Sequence, residues 1–278
     1  MAIRTFTPPI YLNSIVRRIW HTDFQLPDDY CQSIRILANG APGLIFQHSD
    51  GHSAVQGAGD SLLPISYIYG QGIAPCVNSI RDSAFVCGFE FYPAALKYLF
   101  GIDASLLTNS LVELEYLIGR RINDQLLNAC DTKSVVNLLC TLLAQNLAGR
   151  KSNGFVEESV RLIMKETAAI TSATLPSHFN ISKRQFQRRF KEHIGVCPET
   201  YIRIIRFQKS IHWLQNQHYR KINDISYALG YADQSYFNRE FKFFSGYTPT
   251  EFLKTMTTQQ PFYQRSEQSM VPLRILSY

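Results

Sequence analysis

From residue 15 to residue 91, apolar side chains come in short runs rich in β-branched and aromatic residues. They are Ile15-Val16-Arg17-Arg18-Ile19-Trp20, Ser33-Ile34-Arg35-Ile36-Leu37, Leu44-Ile45-Phe46, Ser66-Tyr67-Ile68-Tyr69 and Phe85-Val86-Cys87-Gly88-Phe89-Glu90-Phe91. Turn clusters separate them: Asn39-Gly40-Ala41-Pro42-Gly43, Ser49-Asp50-Gly51 and Gly57-Ala58-Gly59-Asp60. Branched and aromatic side chains suit a pleated, half-buried surface, and Gly, Asn, Asp and Pro suit tight reversals, so this stretch predicts short strands closed as a barrel or stacked as a sandwich. After Pro93 the apolar spacing becomes helical. It predicts helices over 94–100 (stopped by Gly101), 110–118, 121–130 and 133–148. The last is apolar on more than one face, which fits a core helix or one shared between protomers. The chain therefore reads as α+β, strands first and helices after.

Beyond residue 170 the pattern sharpens. Ser182-Lys183-Arg184-Gln185 has the form of a capping box, and the helix it opens runs to about His193 and stops at Gly195. At 100° per residue, Phe186 and Phe190 fall on one face, with Arg184, Gln187, Arg188 and Lys191 on the opposite one. A second short amphipathic helix, Ile222 to Leu229, leads through Gly230-Tyr231 to another helix starting near Asp233. There Phe237, Phe241 and Phe244 make the apolar stripe; Ser235, Asn238, Arg239 and Lys242 lie opposite, with Gln234 at the edge. Guanidinium and amide groups carried on a buried aromatic seam suit the base edges of a major groove, where Arg forks to guanine and Gln or Asn pairs with adenine.

Both units end alike: Phe190-Lys191 to Gly195 and Pro198 parallels Phe241-Lys242 to Gly246 and Pro249, at a constant offset of 51 residues. A repeated supersecondary unit is harder to obtain by chance than either half alone. Between them Pro198 to about Gln215 predicts one helix, about 27 Å long at ~1.5 Å per residue, a rod that holds two groove-reading helices near one DNA turn apart, ~34 Å.

Charge agrees with this division. Residues 1–150 hold 10 Lys and Arg against 12 Asp and Glu, whereas residues 151–278 hold 18 against 10. A basic C-terminal half is the electrostatic footprint of a phosphate-backbone partner. Lys183, Arg189, Arg203 and Arg206 are further phosphate candidates, and Arg206, inside the linker helix, equally fits a brace to the fold through a carboxylate. Six cysteines without a C-x-x-C pair predict neither a zinc ribbon nor a disulfide framework. His48 and His52 flank a turn with no acidic ligand at a familiar interval, so no metal and no cofactor is expected. No G-x-S-x-G, Walker or H-E-x-x-H signature occurs, which predicts a protein that is not an enzyme. No apolar run reaches ~18 residues and the first nine residues lack a signal-peptide core, so no membrane partner and a cytoplasmic location are expected.

The stretch from about 155 to 255 closely resembles the AraC/XylS-type DNA-binding domain. Ile225 to Lys242, followed by Gly246-Tyr247-Thr248-Pro249, matches the signature of the family's second unit. The first unit matches through Leu175, Ser182, Phe186, Arg188, Phe190, Lys191, Gly195, Pro198, Tyr201 and Arg206. The resemblance implies base contacts from Arg184, Gln187 and Arg188 and from Gln234, Ser235, Asn238 and Arg239. It departs at Ser226 and Pro176, where the family has alanine; Pro176 lies inside the expected first helix, where it removes a backbone donor. More weakly, the Val16–Trp20 stretch, Leu44-Ile45-Phe46, Phe89 to Pro93 and Leu106 to Asn109 resemble a regulatory domain of uncharacterised function found ahead of such DNA-binding domains in bacterial regulators. That resemblance implies a cupin-like β-barrel followed by helices.

The expected organisation is a regulatory or dimerisation domain over 1–148, a linker over 149–154, a DNA-binding domain over 155–256 and a tail over 257–278. The implied partners are promoter DNA, a small-molecule effector, a second copy of the chain and RNA polymerase. The reading that leads is an effector-responsive activator. Trp20, Phe46, Tyr67, Tyr69, Phe89 and Phe91 are the candidate effector-pocket residues, with plain core as the other reading of each. Two further readings stay open: an N-terminal domain that only mediates assembly, and an alkyl-transfer repair fusion using Cys76, which lacks an adjacent His or Arg to activate its thiol.

Overall fold

A computed structural model describes residues 3–27, 31–81, 83–147, 154–216 and 219–258. The strands are β1 (Arg4–Phe6), β2 (Val16–Phe24), β3 (Cys31–Ile36), β4 (Gly43–His48), β5 (Val55–Gln56), β6 (Ser66–Tyr69), β7 (Cys76–Arg81), β8 (Ala84–Phe91) and β9 (Leu111–Glu113). The early helices are α1 (Ala95–Phe100), α2 (Leu114–Ile118), α3 (Ile122–Leu127) and α4 (Thr132–Leu147). The C-terminal ones are α5 (Gly154–Lys165), α6 (Lys183–Ile194), α7 (Pro198–Gln215), α8 (Ile222–Ala228), α9 (Gln234–Ser245) and α10 (Pro249–Thr258).

The strands form two antiparallel sheets, ordered β1-β2-β8-β4-β6-β9 and β3-β7-β5. The larger sheet does not close on itself, so the closed barrel gives way to a layered arrangement. Its pleat sorts the side chains. Ile19, Phe89, Leu44, Ile68 and Val112 stand in register across five strands and face a core built with the helices. The next row, Trp20, Gly88, Ile45 and Tyr67, faces the smaller sheet, where Phe24, Ile34, Val55, Ile80 and Val86 are buried. A Cβ on Gly88 would stand 2.3 Å from the Trp20 indole, so the ring's close approach to the strand requires glycine. A bulge between Val16 and Arg18 places both Arg17 and Arg18 opposite Glu90, which accepts one ion pair on each oxygen at 3.1 and 3.0 Å.

Of the expected helices, 110–118 is split: residues 111–113 pair with β6 as β9, and helix begins only at Leu114. Sheet pairing with Tyr67–Tyr69 outweighs a helical spacing too short to nucleate. α4 resolves to a core helix: Val135, Val136, Leu139, Cys140 and Leu143 are buried in the main cluster, and Lys133, Asn137, Thr141 and Gln145 face outward. The expected linker lies outside the described residues except Gly154, which opens α5, and the tail beyond Thr258 lies outside them too.

The apolar cores follow space rather than chain order. One cluster runs from Leu12 through the sheet and α4 to Phe186, Phe190 and Tyr201, so the first C-terminal unit shares the core of the N-terminal part. A second cluster joins Leu37 and Ala38 to α7, α8, α9 and α10.

Candidate nucleic-acid interface

The first unit opens with a 3-10 turn, Leu175–Phe179, rather than an α-helix. Pro176 stands in its first positions, where the missing N–H breaks no ladder, and Asn180 ends it in the left-handed region at φ 51°. α6 follows, its N-cap Ser182 accepting a hydrogen bond from the Gln185 amide at 3.3 Å. Phe186 and Phe190 are fully buried, stacked on each other, with Phe179 against one end and Tyr201 against the other. α6 closes at Gly195, φ 98°, where an L side chain is strained.

The second unit repeats the design with stronger caps. The Asp224 carboxylate accepts from the Arg220 and Lys221 amides ahead of α8. The departure at Ser226 is absorbed: its buried hydroxyl donates to the Asn223 carbonyl at 2.7 Å. Gly230, φ 72°, makes the turn, and Asp233 caps α9 by accepting from the Tyr236 amide at 2.7 Å. Phe237, Phe241 and Phe244 are fully buried against Phe207 and Phe252. α10 opens with a reciprocal pair, Thr248 amide to Glu251 carboxylate and Glu251 amide to Thr248 hydroxyl.

The seams fix which face is left over. On α6, Arg184, Arg188 and Lys191 are exposed and Gln187 is half-buried; on α9, Gln234, Ser235, Arg239 and Lys242 are exposed and Asn238 is half-buried. Arg239 lies over the Tyr236 ring at 5.9 Å. Among the further phosphate candidates, Lys183 is exposed on the α6 face and Arg189 is exposed over Phe155. Two are committed elsewhere. Arg203 of α7 grips buried Glu240 of α9 through two hydrogen bonds of 2.6 and 2.8 Å, and Arg206 donates to the Thr167 carbonyl at 3.1 Å. Arg206 thus braces the fold, through a backbone carbonyl. Arg203 thus fixes α9 to α7, and Arg206 fixes the segment after α5 to it; α7 runs Pro198–Gln215 as its apolar spacing predicts.

Behind α7 lies a cavity of about 1890 Å³ between the two sheets and this helix. Of the candidate pocket residues, Trp20, Tyr67 and Tyr69 line it; Phe46, Phe89 and Phe91 do not, being fully buried in the helix-facing core. The pleat decides: Leu44 and Phe46 share one face and Ile45 the other, as Tyr67 and Tyr69 oppose Ile68. Sequence reading missed the α7 wall, to which Ile205, Gln208, Lys209 and His212 contribute. Burial holds the Lys209 ammonium below its usual range, and it donates to the Met164 carbonyl at 2.6 Å. Cys76, on the cavity wall, has its thiol pushed up by burial, the reverse of an activated nucleophile.

Residues 175–255 match the helix-turn-helix domain family, and residues 4–113 match a family described as a domain of unknown function, DUF6597. The C-terminal helices are thus a helix-turn-helix domain, a fold unit that binds DNA. Among relatives, the transcriptional activator RhaS of Escherichia fergusonii is 28% identical over 83 residues, 30% of this chain and 30% of that protein. The F1 operon positive regulatory protein of Yersinia pestis is 34% identical over 98 residues, 35% of this chain and 31% of that protein. The chain thus spans about a third or less of the length of these curated relatives. Among solved structures, ToxT from Vibrio cholerae aligns over 85% of this chain and 98% of its own at 14% identity and a TM-score of 0.47. Among the described residues no helix is long and apolar enough to cross a membrane.

Proposed function

We propose that the protein is a sequence-specific transcriptional activator that reads two successive major grooves per protomer, α6 in one and α9 in the next, and that a small molecule in the cavity behind α7 modulates it. The observation that carries the reading is the pair of repeat-related polar faces, Arg184-Gln187-Arg188-Lys191 and Gln234-Ser235-Asn238-Arg239-Lys242, both borne on fully buried aromatic seams. Helices held so rigidly lose little entropy on docking and present forked donors at fixed geometry. The effector half rests on the cavity, whose walls combine both sheets with the helix that joins the two units. This favours sensing over assembly alone, since α4 spends its apolar side chains on its own core.

The test is selection from random DNA by the full chain, followed by titration in salt. A discrete two-part motif is expected, with affinity falling about 10³-fold or more between about 50 and 200 mM salt. Equal affinity for the selected and scrambled sequences at about 150 mM salt refutes the specific reader. For the effector, thermal shift against a metabolite library reads any ligand of the native state as a raised melting temperature.

A further inference from the structure

The loop Gly70–Pro75 between β6 and β7 touches both helix-turn-helix units at repeat-equivalent places. Gly195 and Gly246, 51 residues apart, close α6 and α9 in the left-handed region. A Cβ on Gly195 would stand 3.3 Å from Gln71 Cγ and 3.1 Å from the Ala104 carbonyl; one on Gly246 would stand 2.8 Å from Arg35 Nη1 and 3.8 Å from Pro75 Cγ. The first end of the loop therefore abuts unit one and the last end abuts unit two. Its middle residue, Ile73, packs against both apolar clusters at once.

The loop is itself held in place. Gly70 donates to the Ser110 carbonyl, Gln71 accepts from the Asn109 amide and donates to the Gly40 carbonyl, and the Ile73 amide donates to the Asn109 side chain at 2.8 Å. Each glycine turn has one more tether from the N-terminal part. Thr108 donates to the Gly195 carbonyl at 2.6 Å, and the Arg35 guanidinium lies 4.7 Å from the centre of the Tyr247 ring.

We propose that this loop sets the separation and relative rotation of α6 and α9, and so determines which half-site spacing the protein accepts. The proposal rests on the reading of those helices as DNA readers. α7 joins the two units through its own packing, and the loop adds a second support at the Gly195 and Gly246 turns; two supports are what a rigid separation needs. Gln71, Ile73 and Pro75, with Arg35 and Thr108, are then positioning residues for operator choice, although none belongs to α6 or α9. Gly70, Gly72, Ala74 and Pro75 also line the cavity, so the occupant of that cavity would press on the element that holds both readers.

The experiment selects random DNA with full-length wild type, with Ile73→Ala, and with the milder pair Arg35→Ala/Thr108→Val. Wild type is expected to return two half-sites at one separation, and a one-base-pair insertion, which rotates one half-site by about 35°, to weaken binding about tenfold or more. The variants are expected to return the same half-sites over a spread of separations and to lose about threefold or less on insertion. Arg35 is exposed, so the second variant keeps the test available if Ile73→Ala does not fold. Folded variants that keep wild type's single separation and its insertion penalty overturn the proposal and leave the spacing to α7. A wild type that returns no paired half-sites instead refutes the underlying reading of α6 and α9.

Discussion

Arg239 and Lys242 stand on the same helix face and are expected to behave differently. Arg239 lies near the N-terminal half of α9, with its guanidinium over Tyr236; Lys242 lies in the last turn. Arg239→Ala should cost about 1–3 kcal/mol at the preferred site and relax preference at one base position. Lys242→Ala should weaken all sequences alike and lower the salt slope by about 1. Competition binding against single-base variants separates the two, and equal loss on every sequence from Arg239→Ala would move that residue to the backbone. Glu240 makes a different prediction. Its two hydrogen bonds to Arg203 join α9 to α7, so Glu240→Gln should lower stability by about 1.5–3 kcal/mol in urea unfolding while half-site preference stays unchanged. At this scale the exposed polar faces were legible because helical spacing fixes which residues oppose a phenylalanine seam. The commitment of Arg203 was not, because Glu240 is 37 residues away and enters only once α7 and α9 cross.

The helices α6, α7, α9 and α10 were legible nearly to the residue, because each is marked by its own stop or start: Ser182 and Asp233 as caps, Gly195 and Gly246 as ends, Pro198 and Pro249 as first positions. Ser182→Ala should remove the α6 cap and destabilise the protein by about 1 kcal/mol, read as a lower urea midpoint with an unchanged slope. The unit most altered from its expected form is the one with Pro176, where a 3-10 turn replaces a helix. The strands were less legible. β7, Cys-Val-Asn-Ser-Ile-Arg, has no clean alternation, and β5 is two residues long; both exist because β3 and each other supply partners. Closure of the barrel was a matter of which edges meet, and no local pattern encodes that. The pocket was half legible for the same reason. Aromatic strands announce buried rings, whereas the face each ring takes depends on register, which sends Phe46, Phe89 and Phe91 to the core and Trp20, Tyr67 and Tyr69 to the cavity.

At the scale of the whole molecule, the N-terminal part and α6 are one packed body. Lys97 of α1 pairs with Glu192 of α6 at 2.6 Å, and its hydrogen bond holds the Glu192 carboxyl below the usual range. A lowered native pKa means that the contact's stabilisation is complete above the unfolded value, about 4.3, and is lost as the pH falls through the native value. Lys97→Met should therefore lower the melting temperature near neutral pH, and its gap from wild type should close as the pH drops below the carboxylate range; a gap that stays constant would show that the pair contributes nothing there. Charge is distributed to match the proposed function: the basic excess belongs to residues 151–278, which carry α6 and α9.

In the proposed complex α6 and α9 enter neighbouring major grooves on one side of a duplex. Hydroxyl-radical footprinting of the full chain on its selected site reads this arrangement base by base. Two protected patches are expected, about 10 base pairs apart on one face of the helix, with Arg188→Ala erasing one and Arg239→Ala the other. A single patch, or two that respond together to either substitution, would contradict it.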